Sequence, residues 1–313
     1  MKVVFLGTPD FAVPSLKMLV QEGYNVIGVF TQPDRPKGRG KKLFSPPVKD
    51  FAMKYGLSVY QYDRIKAKEG VEKLRELSPD LMITVAFGQI LSKEILDIPP
   101  LGCINVHASL LPKYRGAAPI QWAIINGEQR TGITTMYTDI GLDTGDMILS
   151  KEIEIGKDET AGELHDRLAI LGADVLRETL VRVKDGTAIP IPQDHEQASY
   201  YPVLDKAIGK IDWRKKGQEI HDLVRGVDPW PGAFTRLKGD ILKIWKVKPI
   251  SFASTEEYPP GKIIHADEKV GLIVMAGDGP IKIEELQAPG GKRMSSNDFL
   301  RGNRIQEGLI LGE

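Results

Sequence analysis

Residues 2–30, KVVFLGTPDFAVPSLKMLVQEGYNVIGVF, hold two apolar runs separated by an amphipathic stretch. The first run, residues 2–7, is short, rich in Val and Phe, and stops at Gly7, the pattern of a strand buried on both faces. Pro9 and Asp10 suit a helix start, and Phe11, Leu16, Leu19 and Val20 then share one helical face. Residues 24–30 return to a strand pattern. Strand, helix and strand in that order make a βαβ unit, whose two strands must run parallel.

The alternation continues outward. Ser45 is expected to cap a helix begun by Pro46 and carrying Val48, Phe51, Ala52 and Tyr55. Further strands are expected at 80–87, 103–107 and 132–138, with helices at 66–77, 90–96 and 118–126. This predicts an α/β domain, Rossmann-like, with a mostly parallel sheet covered on both faces. After a strand at 147–155, Thr160 and Glu163 form a capping-box pattern, and Leu164, Leu168, Leu171 and Val175 set the stripe of a long helix ending near Lys184, Asp185 and Gly186. The segment 187–205 has three prolines and no sustained period, so it is read as a linker. From 206 onward, short alternating segments at 241–247, 262–266, 270–275 and 281–286, with one helix at 217–225, predict a small antiparallel β-barrel of OB type. The expected domains are therefore 1–186 and 206–313, joined by 187–205.

Composition narrows the class. With 313 residues, 42% hydrophobic, the chain can bury two cores, and one Cys among them excludes a disulfide framework or thiolate metal cluster and suits a reducing cytosol. No run approaches the apolar length needed to cross a bilayer, and the opening apolar run is too short for a secretory signal. The 42 basic and 42 acidic side chains cancel, yet residues 206–313 hold 18 of the former and 15 of the latter. Residues 33–44, PDRPKGRGKKLF, form a basic island in the remaining, net-acidic part of the chain, suited to local contact with a polyanion or to lying as a solvated loop.

Two familiar nucleotide motifs fail. The turn Gly7-Thr8-Pro9-Asp10 lacks G-x-G-x-x-G, and the run 37–42 lacks the spacing of a phosphate loop. His107, His165, His195, His221 and His265 are scattered, so no metal site is expected. The informative stretch is 103–128, CINVHASLLPKYRGAAPIQWAIINGE. On a strand, Asn105 and His107 project from one face, near the strand's C-terminal end where open α/β sheets bind ligands. Each is a polar group that must be satisfied or used. A second polar constellation, Asp139, Asp143 and Asp146, lies within 138–146; an Asx turn explains any one of these carboxylates, but not all three. Trp213, Trp230 and Trp245 fit the core of the second domain better than a base-stacking surface.

These residues resemble the methionyl-tRNA formyltransferase family over essentially the whole chain. The resemblance rests on FLGTPDFAVPSL (5–16), TQPDRPKGRGKKL (31–43), VAFGQIL (85–91), the 102–128 stretch, DIGLDTGDM (139–147) and DPWPGAF (228–234). Ala108 stands where many relatives have Gly. The resemblance implies a catalytic group of Asn105, His107 and Asp143. It implies a 10-formyltetrahydrofolate site at Phe87, Gly88, Gln89, Ile90, Leu91, Ser109, Leu110, Leu111, Pro112, Asp139 and Asp143. It implies contact of Arg35, Lys37, Arg39, Lys41 and Lys42 with the acceptor arm of initiator methionyl-tRNA. The single Cys suggests a cytoplasmic protein, and with no exposed coiled-coil seam in the sequence a monomer is expected. In that reading amide and ring N–H groups of Asn105 and His107 donate to the oxyanion formed during transfer. Two competing readings are a formyltetrahydrofolate enzyme with another acceptor, being a hydrolase or a formyltransferase acting on a nucleotide sugar or glycinamide ribotide, and a tRNA-binding protein whose Asn/His/Asp cluster is structural.

Overall fold

The structure, a computed structural model, describes residues 1–37, 42–251 and 257–312. It divides into two compact units: Met1–Pro119 with Arg130–Ile153 and His165–Tyr201, and Ile120–Gln129 with Glu154–Leu164 and Pro202–Glu313.

The strands of the first unit are β1 (Lys2–Gly7), β2 (Asn25–Thr31), β3 (Arg35–Lys37), β4 (Lys42–Phe44), β5 (Val59–Gln61), β6 (Leu81–Val85), β7 (Cys103–His107), β8 (Arg115–Gly116), β9 (Arg130–Tyr137) and β10 (Met147–Glu154). Among the described residues seven of them form one sheet of order β10-β9-β7-β6-β1-β2-β5. Pairings β1–β2, β1–β6, β2–β5 and β6–β7 are parallel and β7–β9 is antiparallel, which bears out a mostly parallel α/β sheet. Val3, Val4, Phe5 and Leu6 of β1 are fully buried, as an apolar strand between two helical layers must be. The chain builds outward from β1 through β2 to β5 and then resumes at β6 on β1's other side. That reversal is the topological switch, and its crevice opens at the C-terminal strand ends, where β6 runs into residues 86–91.

The helices are α1 (Val13–Gln21), α2 (Pro47–Lys54), α3 (Lys68–Leu77), α4 (Lys93–Leu96), α5 (Pro119–Ile125) and α6 (Ala161–Lys184). The cap expected of Ser45 falls one residue later. Pro46 is the N-cap, with ψ of 141°, and Pro47 begins the helix. The ring of Pro47 forces Pro46 out of the helical region, so of two consecutive prolines only the second can be helical. The Thr160–Glu163 capping box is present, Thr160 N donating to Glu163 Oε2 at 2.9 Å and Glu163 N to Thr160 Oγ1 at 3.3 Å. Leu164, Leu168 and Val175 are buried along α6 as the spacing required, and Leu171 is only partly buried.

Residues 187–201 carry structure of their own. Met147 and Ile191 form an antiparallel bridge, and β11 (Tyr200–Tyr201) pairs in parallel with β8.

The second unit contains α7 (Gly217–Gly226), β12 (Ala233–Leu237), β13 (Asp240–Pro249), β14 (Ile263–Asp267), β15 (Gly271–Met275), β16 (Pro280–Gln287), β17 (Met294–Ser295) and α8 (Ser296–Gly302). Its sheet runs β12-β13-β16-β15-β14, with β17 on β16, and the pairings among these strands are antiparallel. Alternate residues Ile281 and Ile283 face a core shared with Ile220, Val224, Ile244, Val274 and Phe299. The antiparallel class is as expected. The strand path ends at β12 and β14, and residues 308–312 run between those two edges, Gly308 N donating to Ile263 O and Gly312 N to Arg236 O. Trp213 is buried with its Nε1 donating to Thr235 Oγ1, while Trp230 is 52% exposed, so the expectation of a core role holds for the first and not the second.

Candidate active site

Strand periodicity puts Asn105 and His107 on one face of β7, while Ile104 and Val106 on the other face are buried. Thr84 of β6 stands beside Asn105 in the parallel register. Its hydroxyl donates to Asn105 Oδ1 at 3.0 Å, which fixes the amide so that Nδ2 points away from the sheet partner. Nδ2 then lies 3.5 Å from Asp143 Oδ1. The same carboxylate oxygen is 3.7 Å from His107 Nδ1. Three side chains separated by up to 38 positions thus converge on one oxygen. His107 and Asp143 keep 7% and 13% of their side-chain surface, and Asn105 is half-buried, so the cluster is reachable but poorly hydrated. Charges there interact more strongly than on an open surface.

His107 Nε2 is 2.9 Å from the carbonyl oxygen of Tyr114. A carbonyl only accepts, so Nε2 carries a hydrogen and donates it there. With Nε2 engaged there, the ring nitrogen left to face the cluster is Nδ1.

Asp143 sits at the end of a loop built to hold it. Asp139 accepts from Gly141 N at 3.0 Å and from Thr144 Oγ1 at 2.7 Å, an Asx-turn arrangement. Asp143 has φ of +54° and accepts at Oδ2 from Gly116 N at 2.8 Å. Tyr137 N donates to Asp146 O and closes the loop at its base. Gly145 is required here by proximity, because a Cβ would meet Tyr137 O at 1.8 Å. Gly145→Ala is therefore expected to destabilise the protein by about 1–3 kcal/mol and to lower activity through the displaced loop. Urea unfolding tests the first part, and an unshifted midpoint would contradict it.

The expected folate residues divide into two sets. Phe87 and Leu91 are buried in the core with Val4, Leu6 and Phe30. Gln89 donates to Tyr62 O and accepts from Ile65 N, so its side chain braces the neighbouring segment. Ser109 is fully buried with its hydroxyl on Lys113 O, and Asp139 is taken up in its turn. Leu111 is buried and its N–H donates to Thr134 Oγ1. Left facing outward are Gly88 and the 77%-exposed Ile90, while Leu110 and Pro112 are partly buried; Leu142 beside Asp143, not among the expected residues, is 57% exposed. Apolar side chains and loop backbone at the switch crevice fit a flat heteroaromatic donor with an amide-like edge.

Of the five basic residues expected to meet tRNA, Arg39 and Lys41 lie outside the described residues. Arg35, Lys37 and Lys42 belong to the paired strands β3 and β4, with Arg35 NH2 3.6 Å from Asp63 at an exposed site. Cys103, two residues before Asn105, is no alternative nucleophile. Burial pushes its thiol up to about 12, against smaller opposing effects of hydrogen bonds with Thr138 and Thr84.

Thr84, the Tyr114 carbonyl, the Gly116 amide and Gln193 went unread in the sequence. The Gln193 side chain donates to Asp143 O and Gly145 O and accepts from Arg115.

The fold and this site define a formyltransferase. Residues 1–180 match the formyl transferase family and residues 204–304 its C-terminal domain. The chain is 58% identical to the methionyl-tRNA formyltransferase of Ruminiclostridium cellulolyticum and 56% to that of Acetivibrio thermocellus, each over the full length of both chains. It is similar in fold to the crystal structure of the N-formyltransferase from Helicobacter canadensis in complex with folinic acid and dTDP-3-aminofucose, with 21% identity, a TM-score of 0.68 and coverage of 90% of this chain and 98% of that one. The chain belongs to the methionyl-tRNA formyltransferase family, one-carbon transferases that move the formyl group of 10-formyltetrahydrofolate to the α-amino group of methionine on initiator tRNA.

Proposed function

We propose that Asn105, His107 and Asp143 carry out this transfer in the present chain, and that their convergence at the C-terminal end of β7 is the observation on which the assignment rests. The neutral α-amine attacks the formyl carbon, a C–N bond forms, and the carbonyl electron pair moves onto oxygen. Asn105 Nδ2, oriented by Thr84, donates to that oxyanion. His107 Nδ1 takes the proton from the attacking nitrogen, and Asp143 offsets the positive charge on the ring. The bond to folate N10 then breaks with its electron pair staying on nitrogen, and the proton held at Nδ1 passes to N10. The Tyr114 carbonyl keeps Nε2 protonated throughout, so only Nδ1 exchanges.

The donor is held by the backbone of residues 86–91 and by apolar contact with Ile90 and Leu142, rather than by the side chains of Gln89, Ser109 and Asp139, which are engaged elsewhere. The basic run 33–44, together with residues 206–313, meets the acceptor arm of initiator tRNA, and the enzyme acts as a cytoplasmic monomer. The domains proposed for these tasks are 1–186 and 206–313. Cationic side chains separated by glycines suit phosphate contact. Arg39→Ala is expected to raise KM for tRNA severalfold and to leave folate binding unchanged, measured by titrating each substrate separately. Equal weakening of both would contradict a role confined to tRNA.

Incubation with 10-formyltetrahydrofolate and either charged initiator or charged elongator tRNA tests the function as a whole. N-formylmethionine on the initiator only is the expected product. Formate release without formylation of either tRNA would favour a hydrolase and sink the proposal.

A further inference from the structure

Gln193 lies in the segment that the sequence suggests is only a connection, yet it is 5% exposed and all its polar atoms are used. Nε2 donates to the carbonyls of Asp143 at 2.9 Å and Gly145 at 2.7 Å. Oε1 accepts from Arg115 Nε at 3.1 Å and NH2 at 2.7 Å. Arg115 is fully buried, and its other side-chain partners are Tyr200 OH at 2.6 Å and His195 Nδ1 at 3.1 Å. Its backbone N–H donates to Ser199 O, and the next N–H, that of Gly116, holds Asp143 Oδ2. Two tethers thus meet at one residue: Gly116 fixes the Asp143 carboxylate, and Gln193 fixes the Asp143 main chain to the side chain of Gly116's neighbour. Gln193, Tyr200 and His195 bring no carboxylate to this guanidinium, so its burial is costly and the geometry it holds is the return on that cost.

The geometry points to Gln193 as a positioning residue for Asp143, tying the acid loop to β8 so that the carboxylate stays within reach of Asn105 and His107. This inference rests on Asp143 being catalytic. A displacement of the carboxylate by about 1 Å is enough to cost about a hundredfold in rate.

The test is formyl transfer by the full-length chain carrying Gln193→Ala, Gln193→Glu, Asp143→Asn, or Gln193→Ala together with Asp143→Asn, at a temperature where circular dichroism shows each variant folded. Gln193→Ala should lower kcat by about tenfold to a hundredfold with little change in KM for either substrate. Gln193→Glu still accepts from Arg115 but sets carboxylate oxygens against two carbonyl oxygens, so its kcat should fall like that of Gln193→Ala while thermal stability is kept. Gln193→Ala should add almost nothing to the loss already caused by Asp143→Asn, because it acts through that side chain. The same fold loss in both backgrounds, or wild-type kcat in Gln193→Glu, would overturn the inference and leave the role of Asp143 standing. Wild-type transfer by Asp143→Asn would instead remove the catalytic reading itself.

Discussion

Asn105→Ala is expected to lower kcat by about 10²–10³, the usual cost of losing one preorganised donor to an oxyanion, while the KM for 10-formyltetrahydrofolate stays close to its original value. The reason is that Nδ2 is needed only once negative charge builds on the formyl oxygen, so its loss weakens the transition state and not the bound donor. The fold should tolerate the change. Asn105 is half-buried, and the Thr84 hydroxyl freed by its removal has the Ile104 carbonyl at 3.4 Å as a second acceptor. Thermal unfolding should therefore report a loss of about 1 kcal/mol at most. Steady-state kinetics with charged initiator tRNA checks the first figure. A rise in KM at constant kcat would place Asn105 in ground-state binding instead.

Asp143→Asn is expected to cost about 10²–10⁴ in kcat, in the range of a positioned proton-transfer partner. It is a clean substitution for structural reasons. Asparagine tolerates the left-handed backbone region that Asp143 occupies at φ of +54°, and its amide oxygen can still accept from Gly116 N. What it cannot supply is negative charge beside His107 Nδ1. Melting temperature should thus hold while transfer falls, and a variant that loses stability and activity in proportion would show that Asp143 serves the fold.

The parts of this site that were legible in the sequence are those whose geometry is local. Asn105 and His107 are two apart on a strand, so period-2 alternation alone puts them on one face. Asp143 lies in a loop with more carboxylates than a turn needs, but only the family resemblance singles it out among them, and Asp139 makes an Asx turn. Where partners come from distant segments the sequence was silent. Nothing in PIPQDHEQ marks Gln193 as the residue that grips Asp143, because the contact spans 50 positions and uses main-chain carbonyls. The tautomer of His107 was equally hidden, since it is dictated by the Tyr114 carbonyl rather than by a side chain. In the fold, the cap of α2 shifted because two adjacent prolines restrict one another, and the way residues 308–312 link β14 to β12 could not be read because alternation specifies faces and not which edges pair.

The central claim is that Asn105, His107 and Asp143 act as one unit on the formyl group. Single-turnover transfer by the triple variant Asn105→Ala, His107→Ala and Asp143→Asn, compared with each single variant, tests it most directly. Residues acting as a unit lose their effect together, so the triple variant should be about as slow as the slowest single one. Losses that multiply across the three positions, or a triple variant that formylates methionyl-tRNA at the original rate, would contradict the account.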